Sequence, residues 1–480
     1  MNATSPEPTA TRMSRRNLLR TTGLLGLAVG SAGVLSACAA ASSGGNGSAP
    51  AAGATSAGNP LGVDAGAPLE VFVFKGGYGD AYAVYDESLY SKAFPKAKLS
   101  HNGIQQMQTQ LQPRFVGGNP PDLIDNSGPA VFPLPTLVAN GQVADLTPLL
   151  NAPSYDTPGK TVAQTLQPGA LDAVTYDGKV MGLPYVSTVK GLWYSQSLFD
   201  KHGWTWPSTW DGLTALLGQM KQAGIAPFAY GGSDAANYFL YPLFSLAGKQ
   251  GGAQALIDLD NLKPGAWQSE PMQNAAAAIA KLAATGMFLA GSAGLNHTQA
   301  QTAWVQGKAG IYASGSWIES EMTGITPADF QMTFGNVPLL TAGDKLPATA
   351  VLASALEVYL VPAQAKNQRG AMELLRIMLS KQGAARFSQL THAPTVVTGA
   401  TGNQSFGSTA YASVAKALAA SGSNTFTYLV SSWYPTIGKE LNVQIANLLA
   451  GRVDGPGFLK AVQAASDKVA SDSSIPKHHR

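Results

Sequence analysis

Aromatic residues beside polar groups at loop positions are what a sugar site requires. A ring covers the apolar face of a pyranose, while carboxylates, amides and hydroxyls take its hydroxyl groups. Six stretches have this make-up: Lys75-Gly76-Gly77-Tyr78, Asp125-Asn126-Ser127, Tyr185 to Thr188, Asp234 to Tyr238, Gly315-Ser316-Trp317 and Trp433-Tyr434. Each taken alone reads more readily as core or turn than as part of a site, because large aromatics bury themselves where they can, so only the joint pattern has weight. Trp193, Trp204, Trp206 and Trp210 lie within or beside apolar helical runs and read as packing.

Catalytic signatures are sparse. Gly77-Tyr78-Gly79 follows a strand-like run, but the third glycine of a dinucleotide loop would fall at Tyr82, and Asp80 would repel a pyrophosphate. There is no phosphate-binding G-x-x-x-x-G-K-[ST], no G-x-S-x-G elbow and no H-E-x-x-H. His478-His479 is the one close histidine pair and sits in a basic C-terminus expected to fray; His101, His202, His297 and His392 are isolated and read as structural hydrogen-bonding residues. Glu319 and Glu321, beside Trp317, are the nearest candidates for paired-carboxylate glycosidic chemistry. Their i, i+2 spacing sends them to different sides of a helix or strand, as a capping acid and a solvated one. No catalytic residue, metal or cofactor is expected.

The chain has 480 residues, 45% hydrophobic and 12% charged, enough to bury more than one core. Lys+Arg 31 against Asp+Glu 28 gives +3, too little for a polyanion-binding field, so nucleic acid is not an expected partner. One cysteine excludes an intrachain disulfide framework. It is Cys38, closing Leu35-Ser36-Ala37-Cys38 after Arg15-Arg16 and an apolar run from Leu24 to Val34. That run is only about half of the ~20 residues a membrane span needs and reads as a signal-peptide core. The small residues before Cys38 resemble a lipoprotein lipobox, and the paired arginines an export signal for folded proteins. Residues 1–37 are then a signal peptide, and 38–68, rich in Ala, Gly, Ser, Pro and Asn, a flexible tether from a lipidated Cys38 on the outer face of the cytoplasmic membrane.

Elements that position the candidate residues follow from Pro68 onward. Leu69 to Phe74 reads as a strand, and Tyr82, Tyr85, Leu89 and Phe94 recur at helical spacing. Asp122-Leu123-Ile124 and Gly310-Ile311-Tyr312 read as strand ends, and Val358 to Val361 as a strand before a helix burying Ala371, Leu374, Leu375 and Met378. Ser208 reads as the N-cap of a helix that buries Trp210, Leu213, Leu217 and Met220 and stops at Gly224. Tyr176-Asp177-Gly178-Lys179 is a hairpin turn by its Asp-Gly. Strands alternating with helices predict α/β layers with mostly parallel sheets, and the length predicts two lobes joined by several short crossings, since no linker divides them.

In this order, Gln301 to Tyr312 leading into Gly315-Ser316-Trp317, Pro121-Asp122-Leu123-Ile124, Gly191 to Ser195 with Leu198-Phe199, Val361 to Asn367, and Leu448 to Arg452 resemble the extracellular solute-binding proteins of bacterial sugar ABC importers, the class of maltose-binding protein. Phe74 to Asp80, His101 to Gln106, Leu111 to Val116, Gly118 to Asp122, Asp125 to Gly128 and Met372 to Lys381 are similar to the actinobacterial N-acetylglucosamine and diacetylchitobiose-binding subgroup. The resemblance implies an α/β fold of two lobes, 69–187 plus 348–400 and 188–347 plus 401–480, around a central cleft, with crossings near 186–190, 345–350 and 395–405. It places Lys75 to Tyr78, Asp125 and Asn126 on one wall and Tyr238, Trp317 and Trp433 on the other. Tyr185, Thr188, Asp234, Asn237 and Tyr434 complete the expected site. Thr188 and Ala236 stand where the maltose group carries acids, which implies a different sugar pattern. Asn126 or Gln105 would serve the carbonyl of an acetamido group. A monomer that captures N-acetylglucosamine or chitobiose and presents it to membrane permease subunits is the expected function. Another neutral oligosaccharide is the alternative ligand, and a lipid-anchored glycoside hydrolase using Asp125 or Glu319 the alternative class.

Overall fold

The computed structural model describes residues 53–128, 130–402 and 404–480; the expected signal peptide and lipidated Cys38 lie outside the described residues. The strands are β1 (Leu69–Phe74), β2 (Leu99–Ile104), β3 (Leu123–Asp125), a hairpin of β4 (Thr175–Tyr176) and β5 (Lys179–Val180), β6 (Leu183–Ser195), β7 (Ala226–Ala229), β8 (Ala309–Gly315), β9 (Met332–Gly335), β10 (Val351–Leu360) and β11 (Thr425–Phe426). Leu69, Val71 and Val73 alternate onto the buried face of β1, which pairs in parallel with β2 from Leu69↔Leu99 to Phe74↔Ile104 and with β3 on its other edge. The hairpin turns at Asp177 and Gly178, both at positive φ (49° and 74°), as a tight Asp-Gly connection requires.

The main sheet runs β2-β1-β3-β10-β6-β8-β7, with β11 beside β10 and β9 beside β6. It is mixed rather than mostly parallel. β1–β2, β1–β3, β7–β8 and β10–β11 are parallel, but β10 runs against β3 and β6, and β6 against β8 and β9. The antiparallel pairs all involve β6 or β10, because a strand returning between two cores must run opposite to the one that left. From Leu183 to Val189, β6 pairs with β10; from Lys190 to Tyr194 it pairs with β8. The segment around Pro394–Val396 also runs along β6, giving hydrogen bonds from Ser187 N to Pro394 O and from Val396 N to Tyr185 O.

Successive residues of β6 enter different cores. One core gathers Val71, Tyr82, Leu123, Tyr185, Tyr359, Leu374 and Phe387. A second gathers Leu192, Leu213, Phe228, Leu243, Trp267, Ile437 and Phe458, and a third, under the opposite face of β6 and β8, Trp193, Trp304, Tyr312, Ile318 and Val414. The helix Trp210–Gln222 buries the four expected residues, but its N-cap is Thr209, whose Oγ1 accepts from Gly212 N at 3.2 Å, one residue beyond Ser208. Buried Lys249 donates to Asn336 Oδ1 (3.2 Å) and to the carbonyls of Val337 and Ala348, tying its helix to the chain entering β10.

Two terminal expectations change. Residues 53–68, counted within the tether, pack on the first core: Val63 is buried, Asn59 holds its N–H and C=O, and Arg369 donates to Gly62 O. The C-terminus does not fray. Arg480 pairs with fully buried Asp260 at 2.6 Å, and His478 N donates to Tyr434 Oη at 2.9 Å. Among the described residues no helix is long and apolar enough to cross a membrane.

Candidate ligand-binding cleft

Where β6 and β10 pass between the cores, the loops after β1, β3 and β8 converge on them. All thirteen residues of β6 are buried except Lys190, and Thr188 lies directly opposite Ser354 of β10. The loop after β1 and the short helix after β8 come close: a Cβ on Gly77 would lie 3.1 Å from Glu321 Cγ.

A set of polar atoms here is buried with no hydrogen-bond partner among the described residues: Tyr78 Oη, Thr188 Oγ1, Ser354 Oγ, Tyr312 Oη and Gln301 Oε1. Tyr78 Oη sits beside Thr188, yet neither completes a hydrogen bond of normal geometry. An orphaned buried hydroxyl costs roughly 1–3 kcal/mol, so a cluster of them marks where a ligand is to supply the partners.

Carboxyl groups adjoin this cluster. Asp125 is fully buried and accepts from Ser127 Oγ (2.5 Å), Phe74 N (3.2 Å) and Tyr82 Oη (3.5 Å), while burial and the neighbouring Glu357 push it upward. Burial raises Glu357 to about 7. Glu321 accepts from Gln301 Nε2 at 2.7 Å and is also raised by burial, so it is not the solvated acid its spacing suggested; the short helix Ile318–Glu321 turns it inward.

Aromatic rings gather in the segment after β7 and the loop after β8. Tyr238 stacks on Tyr241 with centroids 5.6 Å apart, and Trp317 meets both edge-on at 5.6 and 6.2 Å. The Trp317 ring lies over Gly315, where a Cβ would be 2.0 Å from it. Lys190 Nζ stands 5.3 Å from the ring centroids of both Tyr241 and Tyr428, and burial lowers it to about 8.

Five of the expected site residues are thus brought together: Tyr78, Asp125, Thr188, Tyr238 and Trp317. Asn237 is half-buried beside Tyr238. The others do not reach the cleft. Lys75 is exposed and pairs with Asp80 at 3.1 Å, and Gln105 is exposed with its amide on Lys75 O. Asn126 spends its amide on the backbone of Phe132, at 2.8 and 2.9 Å. Tyr185 is a core residue whose hydroxyl donates to Met378 O. Asp234, exposed, caps the helix His297–Val305 through His297 N and Nδ1. Trp433 and Tyr434 are buried against His478 and hold the C-terminus, which is why aromatic-polar adjacency misplaced them. Glu357, Ser354, Lys190, Tyr241, Tyr428, Gln301 and Tyr312 are the additions. A lone charge within an otherwise apolar strand run was the available signal for Lys190 and Glu357. Among the described residues no cluster of His, Cys, Asp and Glu could hold a metal ion.

Contacts across the cleft mouth involve the same short helix. Ser320 Oγ donates to Thr391 O, and Glu319 Oε2 accepts from Ser408 Oγ at 2.6 Å and faces His392 Nδ1 at 3.6 Å. The nearby Glu319 carboxylate raises His392 above its ordinary value, against burial. Such a pair contributes in full below the ordinary histidine range and fades as pH rises through the raised value. His392 is at φ 51°, which asparagine tolerates, so His392→Asn is expected to lower the melting temperature most below about pH 6 and to match the wild type near pH 8.5. Differential scanning fluorimetry across that range checks it.

Residues 47–385 match the bacterial extracellular solute-binding protein family. The chain is 40% identical over 428 residues, 88% of its length and 90% of the other's, to the diacetylchitobiose binding protein NgcE of Streptomyces coelicolor. In fold it resembles apo RafE of Streptococcus pneumoniae (TM-score 0.67, 17% identity, 84% of this chain and 98% of that one). It also resembles a chitin oligosaccharide binding protein (TM-score 0.63, 21% identity, 81% and 93%). The mixed α/β fold is shared with these two-lobed binding proteins, the family match covers most of the chain, and the chain belongs to the bacterial extracellular solute-binding proteins, a family of binding proteins rather than enzymes.

Proposed function

We propose that the chain captures N-acetylglucosamine, chitobiose or short chito-oligosaccharides for an ABC importer. The reading rests on the ring cluster of Tyr238, Tyr241 and Trp317 together with the unpaired Tyr78, Thr188 and Ser354 hydroxyls on the loops and strands around the β6–β10 crossing. Rings take the apolar sugar face; hydroxyls and buried carboxyls take its polar groups. The diacetylchitobiose ligand named for the Streptomyces coelicolor relative supports the acetamido class.

In the mechanism that follows, sugar seats on the Tyr238–Trp317 wall and the β1 loop closes over it. Lobes 69–187 plus 348–400 and 188–347 plus 401–480 turn about β6, β10 and the segment near 395. The ligand stabilises closure by touching both lobes, and the permease subunits bind the closed shape of the monomer. Lipid on Cys38 keeps the protein near them. Labelling with a fatty acid that marks the wild type but not Cys38→Ala is the expected sign of the anchor.

Thermal unfolding with N-acetylglucosamine, chitobiose, maltose, xylobiose and cellobiose tests the ligand, since whatever binds only the native state raises the melting temperature by linkage. The acetamido sugars alone are expected to do so. A shift with a plain glycan instead would discard the ligand class, and release of monosaccharide from chitobiose would discard the binding role.

A further inference from the structure

Alternate residues of a strand share a face, and along one face of β6 the run is Val186, Thr188, Lys190, Leu192. Val186 belongs to the first core and Leu192 to the second, so the two polar residues stand where the strand passes between them. Opposite Thr188 is Ser354; opposite Lys190 is Gly315, whose Cβ position is filled by the Trp317 ring. Lys190 therefore lies beside that indole, which meets Tyr241 edge-on, and its Nζ is 5.3 Å from the ring centroids of both Tyr241 and Tyr428. It is the one residue of β6 that is not buried, so a ligand among these rings can reach it.

The helix Leu240–Gly251 supplies a contrast, since it carries Tyr241 near its start and another lysine, Lys249, near its end. An ammonium group has three hydrogens to donate. Those of Lys249, which is fully buried, go to Asn336 Oδ1 and to the carbonyls of Val337 and Ala348. Lys190, among the described residues, forms no ion pair and donates no hydrogen bond; its neighbours are the faces of two tyrosines. Ring faces attract a cation but do not replace the acceptors it had in water, so a lysine enclosed in this way does little for the fold. A lysine placed for stability would have partners such as those of Lys249. With Thr188 Oγ1 and Ser354 Oγ also unpaired, the polar groups of this face all await partners from outside the chain.

Given the acetamido-sugar reading of the cleft, on which this rests, we propose that Lys190 is a specificity-determining residue: its ammonium donates to an oxygen of the bound sugar, and its unneutralised charge turns away sugars whose amino groups are free. Chitobiose and its fully N-deacetylated dimer present the same apolar ring faces, so the aromatic cluster by itself does not separate them. Charge does. An acetamido group is neutral, whereas a free amino group on a sugar is a cation in mildly acidic solution. Two unit charges about 5 Å apart in a partly enclosed site repel strongly enough for roughly 100-fold discrimination.

Isothermal titration calorimetry at about pH 6.5, where lysine and amino sugar are both charged, compares the two dimers on three chains. The wild type is expected to prefer chitobiose by about 100-fold or more. Lys190→Met is expected to weaken chitobiose about tenfold and to strengthen the deacetylated dimer about tenfold, while melting no lower than the wild type, because no partner is stranded. Lys190→Gln keeps a donor without the charge; it is expected to hold chitobiose within about threefold of the wild type and still to accept the deacetylated dimer. Equal binding of the two dimers by the wild type would overturn the inference, as would undiminished preference in both variants. A lower melting temperature with equal losses for both dimers would make Lys190 a packing residue and overturn it too. Those results leave the importer ligand standing. Failure of the wild type to bind chitobiose would overturn both.

Discussion

Arg376→Ala is expected to cost about 3–5 kcal/mol of stability, measured as a fall in the urea midpoint at pH 7.5, because it strands a buried carboxylate. Glu373 and Arg376 lie on one helix, Gln368–Met378, with side chains 1% and 6% exposed. The guanidinium makes two parallel bonds, Nε to Oε2 at 2.8 Å and Nη2 to Oε1 at 2.7 Å, and donates from Nη1 to Pro153 O. Its face lies 5.0 Å from the Tyr155 centroid. Burial raises the Glu373 carboxyl, and Arg376 opposes that. With Arg376 gone the folded value rises further. The folded state then binds more protons than the unfolded one at intermediate pH, so the variant's deficit grows as pH rises through the carboxylate range and shrinks near pH 4. Replacing both residues together, Glu373→Met with Arg376→Leu, removes the charge and its partner at once and is expected to cost far less than Arg376→Ala alone. A double variant as unstable as the single one would show that packing on Tyr155 and Pro153, not the unpaired charge, sets the cost.

This helix was legible from Ala371, Leu374, Leu375 and Met378 because amphipathic spacing is a local signal, and so were β1 and the Asp-Gly hairpin. The direction of β10 was not. Whether a strand runs with or against its neighbours depends on where the chain returns from, which is decided more than a hundred residues away. The site divides in the same manner. Tyr78, Tyr238 and Trp317 could be singled out because an aromatic in a segment after a strand has few local reasons to be there, whereas Thr188 lies inside β6 and came only with the expected crossing. Trp433 and Tyr434 have the same local look, but their partner is His478, and nothing near them in sequence points to the C-terminus. Asn126 was misread for the opposite reason: its amide is used up six residues on, at Phe132, in a turn whose closure is invisible without coordinates. Lys190 and Glu357 each interrupt an otherwise apolar run, a signal as plain as any aromatic pair, since a charge in a central strand is seldom there for stability.

Trp317→Ala is expected to raise the dissociation constant for the cleft's sugar about 100-fold, or roughly 2.7 kcal/mol by calorimetry, the largest loss from any single truncation on the aromatic wall. Two contributions add. The indole is the largest ring on that wall and the one whose loop, Gly315 to Trp317, leads directly into the helix that contacts Thr391 and faces His392, so it is positioned by both the sheet and the cleft mouth. Its removal also frees Tyr238 and Tyr241, which it holds edge-on from one side, and a ring that must be immobilised on binding costs affinity that a fixed ring does not. Trp317→Phe keeps a ring in the same slot and is expected to lose about tenfold. Gly315→Ala leaves the indole in place chemically but drives a methyl into it, and is expected to fall between the two. If that order failed, with Gly315→Ala harmless and Trp317→Phe as poor as Trp317→Ala, the indole would be acting through its N–H rather than its face. The sugar would then lie edge-on to the wall, with its apolar face turned toward Tyr238.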